Sequence, residues 1–271
     1  MPFDSLVPRT TFGITILLAG ASLASGAQLQ PEATKAWEQY ISAARAQMDE
    51  RLSGKGRPFL WVQESEERLR SVRAGDIVSE PVSRNGHIAV RGALIHDWIG
   101  AVFVPQVTAA KVMEKLDQYS NYPEYYKPNV VQCRLISRDD SRRLFSMTWQ
   151  MQAVGARVVI DADYESRIFP VSGTGRWWSF SRSTRVQQID NYGSGHERAR
   201  PVGTGLGYIW SVCSVMRVAE IGGGSIIEIE AIALSRDVPV TIAWLVNPII
   251  SRVSRNALGS TLRKTRAAVD R

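Results

Sequence analysis

The sequence predicts an α+β fold, a curved antiparallel sheet of about seven strands wrapped round one long C-terminal helix, with a helical extension at the N-terminus. Three observations lead there. Leu94 to Pro105 (LIHDWIGAVFVP) has the composition of a strand, a proline stops it, and a helical pattern follows at once over Val107–Tyr119. Strand-like segments then recur at intervals of roughly a dozen residues. The chain ends in an apolar stripe at helical spacing.

Residues 1–27 read as a secretory leader. Arg9 supplies the positive region, Phe12–Ala24 is apolar, and Ser25-Gly26-Ala27 offers the small residues of a cleavage site. The apolar run is too short for a comfortable membrane span. Export to a periplasm or to the outside is expected; the alternative is an uncleaved, anchoring N-terminus. Residues 28–75 form the extension. Pro31–Leu52 is an amphipathic helix, with Ala33, Trp37, Tyr40, Ile41, Ala44, Met48 and Leu52 at spacings of three and four. Gly54–Pro58 ends it, Phe59-Leu60-Trp61 is an apolar anchor, and Glu64–Arg73 is a second, charged helix. With one apolar face and no partner of its own, the extension should pack on the domain formed by residues 76–271.

Asp76–Val82 and Ile88–Val90 flank an Asn85-Gly86 turn, which signals a hairpin. Leu94–Val104 continues as the first long strand, and Thr108 caps the helix carrying Val112, Leu116 and Tyr119 on one stripe. Asn121–Tyr126 (NYPEYY) reads as a short helical turn. Six strands follow: Val130–Arg138, Arg142–Gln152, Arg157–Phe169, Arg176–Asp190, Leu206–Glu220 and Ser225–Arg236. Several are long and apolar on more than one face, which suits a strongly curved or closed sheet. From Pro239 the pattern is helical again, with Leu245, Ile249, Val253, Ala257, Leu262 and Val269 on one stripe. A helix of about 25 residues runs roughly 37 Å, enough to cross such a sheet.

Composition and motifs exclude several functions. Charged residues are 22% and hydrophobic ones 44%, a globular balance. The net charge is +7, yet the arginines are scattered through strands and loops, so no nucleic-acid partner is expected. The arginine-bearing C-terminal helix leaves open a peripheral contact with anionic membrane, against a docked helix with a solvated face. Cys133 and Cys213 lie in separate strands, and pairing would need Cα atoms within about 7 Å. His87, His96 and His196 stand far apart and no CxxC occurs, so neither a metal nor a cofactor is expected. His96 and Asp97 are strand neighbours pointing to opposite faces, so they form no dyad. Ser183 and Ser211 lack a nucleophile-elbow sequence. Gly203–Gly207 and Gly222–Gly224 do not open a helix after a strand, and read as hairpin loops rather than phosphate cradles.

The order of elements, with the segments His96–Pro105, Glu124–Pro128, Ser179–Arg185 and Ser235–Pro239, resembles the START-like, Bet v 1-like helix-grip superfamily over about residues 76–269. That superfamily also contains polyketide cyclases and aromatases and the coenzyme Q-binding proteins. The resemblance implies a cavity between the sheet and the terminal helix. Strand alternation nominates Trp149, Trp178, Phe180, Arg182 and Trp210 to line it, and leaves Glu228 and Glu230 for solvent. A buried Arg182 would want a carboxylate, with Asp161 or Asp163 at hand, or a bound anion. The expected function is an exported, non-enzymatic protein holding a hydrophobic or lipid-like small molecule. The alternatives are a cyclase- or aromatase-type enzyme on the same fold, and a ligand-free domain acting through a protein partner. The lack of a convergent His, Asp and Ser set argues against catalysis.

Overall fold

The computed structural model describes residues 26–54, 56–153, 156–238 and 240–271. The leader reading of residues 1–27 falls almost wholly outside them. β1 (Ala27–Gln28) precedes α1 (Pro31–Ser53), which starts on a proline and ends at Gly54. A 3-10 turn over Trp61–Glu64 leads to α2 (Glu66–Arg73), capped by Ser65 Oγ accepting from Arg68 N–H. Then come β2 (Val78–Pro81), β3 (His87–Val90) and β4 (Ala93–Pro105). Next are α3 (Ala109–Leu116), capped by Thr108, and α4 (Tyr122–Tyr125). β5 (Val130–Arg138), β6 (Arg142–Ala153), β7 (Ala156–Val171) and β8 (Arg176–Asp190) form a meander. The short β9 (Arg198–Ala199) and β10 (Thr204–Gly205) precede β11 (Ser211–Glu220) and β12 (Gly224–Arg236). α5 (Val240–Val269) closes the chain.

One antiparallel sheet of ten strands organises the molecule, in the order β2-β4-β12-β11-β8-β7-β6-β5, with β3 also on β4 and β9 on β8. β1 pairs separately with β10. The sequence predicts about seven strands; the difference is mostly short edge pieces. Gly86 does not join β2 to β3 as a hairpin. Both strands lie along one edge of β4, β2 opposite residues 98–101 and β3 opposite residues 93–96. β4 is 13 residues long, so a single edge accommodates both.

Strand alternation divides the core into two faces. On the inner face, Trp98, Val102 and Val104 of β4, Val218 of β11 and Ile227 of β12 pack with Leu258, Leu262 and Val269 of α5 and the apolar side of α3. Gly100 lies under Leu262: a Cβ there would come within 2.8 Å of Leu262 Cδ1 and of Val78 O, so the helix seat requires glycine. On the outer face, Ile95, Ile99, Trp178, Phe180, Val215, Ile232 and Leu234 pack under Trp37, Ile41 and Met48 of α1 and Leu60 and Val62 of the 3-10 segment. The extension therefore covers the face opposite the terminal helix. This arrangement, a long C-terminal helix held against one face of an antiparallel sheet that follows one long strand and two short helices, is a helix-grip fold.

A buried ion cluster ties the extension to the sheet. Arg217 is 2% exposed; it donates to Glu228 at 2.5 Å and to Glu230 at 2.9 Å. Glu228 Oε2 also accepts from the Val62 backbone N–H at 3.2 Å, and Met48 Sδ lies 3.9 Å from the guanidinium. Nearby, Tyr40 of α1 donates to Asp97 at 2.7 Å. Glu228 and Glu230 were expected to face solvent. The outer face is not a solvent face, because α1 and the 3-10 segment cover it, and the facing Arg217 supplies the counter-charge that burial demands.

Two predictions follow from this cluster. Arg217→Met leaves two buried glutamates uncompensated, and the expected loss is about 3–5 kcal/mol in urea unfolding; a loss under about 1 kcal/mol would show that the cluster does not hold the extension. Burial, reinforced by Glu230, pushes the Asp97 carboxyl from 3.8 up to about 8. Between those values the folded chain keeps a proton that the unfolded chain has lost, so this group makes stability fall as pH rises through that window. In Asp97→Asn the decline between pH 6.5 and 8 should flatten, and an unchanged profile would remove Asp97 from the account.

Candidate functional site

Register places three rows of residues side by side across the inner face. Tyr164 of β7 pairs with Ser183 of β8, and the row resumes with Val212, Ala233 and His96 on β11, β12 and β4. Ser166, Ser181, Ser214, Ala231 and Trp98 form the second row. Ile168, Ser179, Met216, Ile229 and Gly100 form the third. Four strand spacings of about 4.8 Å give the rows a span of roughly 19 Å. Small side chains dominate their middle, so the floor is set back from its ends.

Exposure separates the two faces of these same strands. Cys213, Val215, Arg217, Ile232 and Leu234, on the outer face, are at most 2% exposed. Ser181, Ser183, Val212, Ser214, Met216, Ile229, Ala231 and Ala233, on the inner face, are all half-buried. Over β11 and β12 the outer face is closed, while the inner middle of β8, β11 and β12 is partly open, with Ser166 and Ser179 of the same rows buried. At its β6–β7 end the floor is aromatic: Trp149 Nε1 donates to Tyr164 Oη at 3.1 Å, Phe145 stacks on Tyr164 at 4.9 Å, and Met147 and Met151 flank them. Burial pushes the Tyr164 phenol well up, so it stays protonated.

The serines of the floor are hydrogen-bonded within the sheet. Ser181 Oγ donates to Ser166 Oγ at 2.6 Å, and Ser183 Oγ accepts from Val212 N–H at 3.0 Å. At the far end His96 Nε2 lies 2.8 Å from Ser235 Oγ, which itself donates to Arg236 O at 3.1 Å. In the tautomer in which the hydroxyl gives its proton to Arg236 O, it accepts from His96 Nε2–H, and the pair is then no nucleophile and base. Burial, with His87 nearby, pushes the imidazole down to about 4, so it is neutral at pH 7. As expected, Asp97 points the other way, to Tyr40. Among the described residues no cluster of metal-ligating side chains occurs. Cys133 and Cys213 are free and buried.

Of the five nominated residues, Trp149 alone lies on the inner face. Trp178 and Phe180 share one face, as alternation requires, but it is the outer one, under α1. Arg182 follows them and pairs with Glu38 of α1 at 2.7 Å. Asp161 and Asp163 instead hold Arg185, both at 2.6 Å, because register sets Arg185 opposite Asp163 and Arg182 opposite Glu165. The register shift beside Asp163 and Tyr164 makes Thr184 an extra residue on β8. Trp210 precedes β11, which starts at Ser211 rather than Leu206, and packs in the outer core. Those four residues cannot line a space under the terminal helix. Phe180 and Arg182 border a separate outer cleft of about 710 Å³ between α1 and β8, with Trp37, Glu38 and Arg45. The serine floor was missed, although Ser179, Ser181 and Ser183 alternate with Phe180 and Arg182 in the sequence.

No family model matches the chain, and no curated protein matches it. Among solved structures, a STAR-related lipid transfer protein fragment from Xanthomonas axonopodis is 16% identical, with a TM-score of 0.45 over 69% of this chain and 99% of that one. The Zhui aromatase/cyclase from a Streptomyces species is 10% identical, with a TM-score of 0.44 over 65% and 94%. The human StarD13 lipid transfer and protein localization domain is 9% identical, with a TM-score of 0.44 over 78% and 98%. These likenesses carry no statement about what this chain binds.

Proposed function

We propose that the protein is an exported binding protein that holds an apolar, lipid-like small molecule on the inner face, between the sheet and α5. One observation carries the reading: Ser181, Ser183, Val212, Ser214, Met216, Ile229, Ala231 and Ala233 on the inner face are half-buried, while Cys213, Val215, Arg217, Ile232 and Leu234 on the other face of the same strands are at most 2% exposed. Packed strands of a ligand-free core would be closed on both faces. The floor is apolar and aromatic at the Trp149 end and has small hydroxyls at its centre, a composition suited to an apolar guest with few directional contacts. The described floor carries no cation and no carboxylate, which favours binding over acid–base chemistry.

Native mass spectrometry and organic extraction of the purified protein test this reading. The expected result is a co-purifying apolar mass. In Ser214→Trp, which fills the set-back middle of the floor, that mass should fall at least tenfold while the unfolding midpoint stays close to wild type. A wild-type protein that carries nothing and takes up no neutral apolar dye would overturn the proposal.

Contact with an anionic membrane belongs to the same reading. Arg252, Arg255 and Arg263 are exposed on α5, and Ile249 of the same helix is 51% exposed. Co-sedimentation with phosphatidylglycerol vesicles should be strong in low salt and lost by about 0.5 M salt, where exposed charges are screened. Equal partitioning onto neutral phosphatidylcholine vesicles would contradict it.

A further inference from the structure

Three buried polar atoms belong to β4 and to the turn packed on it, at the β4 end of the inner floor. They are Trp98 Nε1, His96 Nδ1 and Ser83 Oγ, and none has a hydrogen-bond partner among the described residues. His96 and Trp98 stand two residues apart on β4 and therefore share a face. They are only 6% and 7% exposed. Ser83 belongs to the turn between β2 and β3, which closes over the same spot. Pro81 is opposite Trp98, His87 is opposite His96, and a Cβ on Gly86 would meet the Trp98 ring at 2.7 Å. The turn is fastened to the terminal helix by Ser251 Oγ, which donates to Asn85 O at 3.1 Å.

The chemistry of the three atoms is complementary. The indole nitrogen only donates. Ser235 Oγ has Arg236 O as an acceptor for its proton, and in the tautomer in which His96 then donates through Nε2 its Nδ1 is an acceptor. The Ser83 hydroxyl does either. A buried polar atom left unpaired costs about 1–3 kcal/mol, so three in one patch form an expensive arrangement unless a partner arrives. On the sheet, Trp98 pairs with Ala231 and His96 with Ala233. Both alanines are half-buried, so the floor next to the patch is not closed by its own side chains.

We infer that His96, Trp98 and Ser83 form a recognition site for the polar end of the bound molecule, and that this end is an uncharged hydroxyl or a group that both donates and accepts. A hydroxyl fits because it gives its proton to His96 Nδ1 and accepts from Trp98 Nε1 or Ser83. A carboxylate lacks a proton to give and would bring a charge to a neutral, buried patch. The ligand class is thus an apolar alcohol, with its body along the serine and alanine rows toward Trp149. The inference rests on the inner-face binding proposed above.

Displacement of the neutral dye N-phenyl-1-naphthylamine from the full chain separates the two claims. Competitors are 1-dodecanol, dodecane and dodecanoate at matched free concentration. The expected order is dodecanol tighter than dodecanoate by about tenfold, which is two net hydrogen bonds' worth of discrimination. Ser83→Ala, outside the floor rows, should cut that preference several-fold while dye affinity holds; Trp98→Phe should cut it as well, and its own dye affinity is the reference for that comparison. Dye binding with no preference for the alcohol, or a preference that survives both variants, overturns the inference and leaves inner-face binding standing. Absence of dye binding in the wild-type protein overturns both.

Discussion

The Arg217 guanidinium is the point on which the two halves of the outer face converge. A fully buried arginine is costly in isolation, and Glu228 and Glu230 offset that cost from the neighbouring strand. Neither glutamate could be buried without it. The Val62 amide then uses the spare oxygen of Glu228, which fixes where the 3-10 segment lands on the sheet. With that segment placed, α1 has one way to lie, and Tyr40 meets Asp97. An apolar seam of equal area would attract the helix without fixing its position; a buried polar set with directional contacts does both.

This division leaves the two faces of one sheet with different tasks. The outer face is filled by side chains from the chain's own N-terminal segment, so its strands carry large residues: Trp178, Phe180, Leu234. The inner face of the same strands carries serine, alanine and valine through its middle. Large residues outside and small ones in the middle of the inner side put most of the bulk of the central strands on one face, while Val218 and Ile227 still seat α3 and α5 on the other.

Much of the fold was legible in the sequence because hydrophobic period and turn residues act locally. β5 and β8 match their expected limits, and the helices at Pro31 and near Pro239 appear where the apolar stripes place them. The site was legible only in part. Alternation showed correctly that Trp178, Phe180 and Arg182 share a face, but alternation has no sign: it does not say which face looks toward the terminal helix. The N-terminal helix, long and amphipathic, competes for exactly one such face, and the larger side chains went to it. Glu228 and Glu230 misled for the same reason, since a charge in a strand normally marks solvent and here marks a partner one strand away. Arg185 took the carboxylates expected for Arg182 because pairing register and a bulge are set by tertiary structure.

The edges of the sheet have a consequence of their own. At one side β5 carries Arg134 and Arg138 and two breaks in its pairing register. At the other, the outermost position is divided between β2 and β3 by the Gly86 turn, so no long straight ladder of free amides is presented. Both margins are therefore poor templates for another strand. A sheet in which β4 pairs with β12, far away in the chain, takes time to assemble. Through that interval, broken and charged margins disfavour the addition of one half-formed copy to the next.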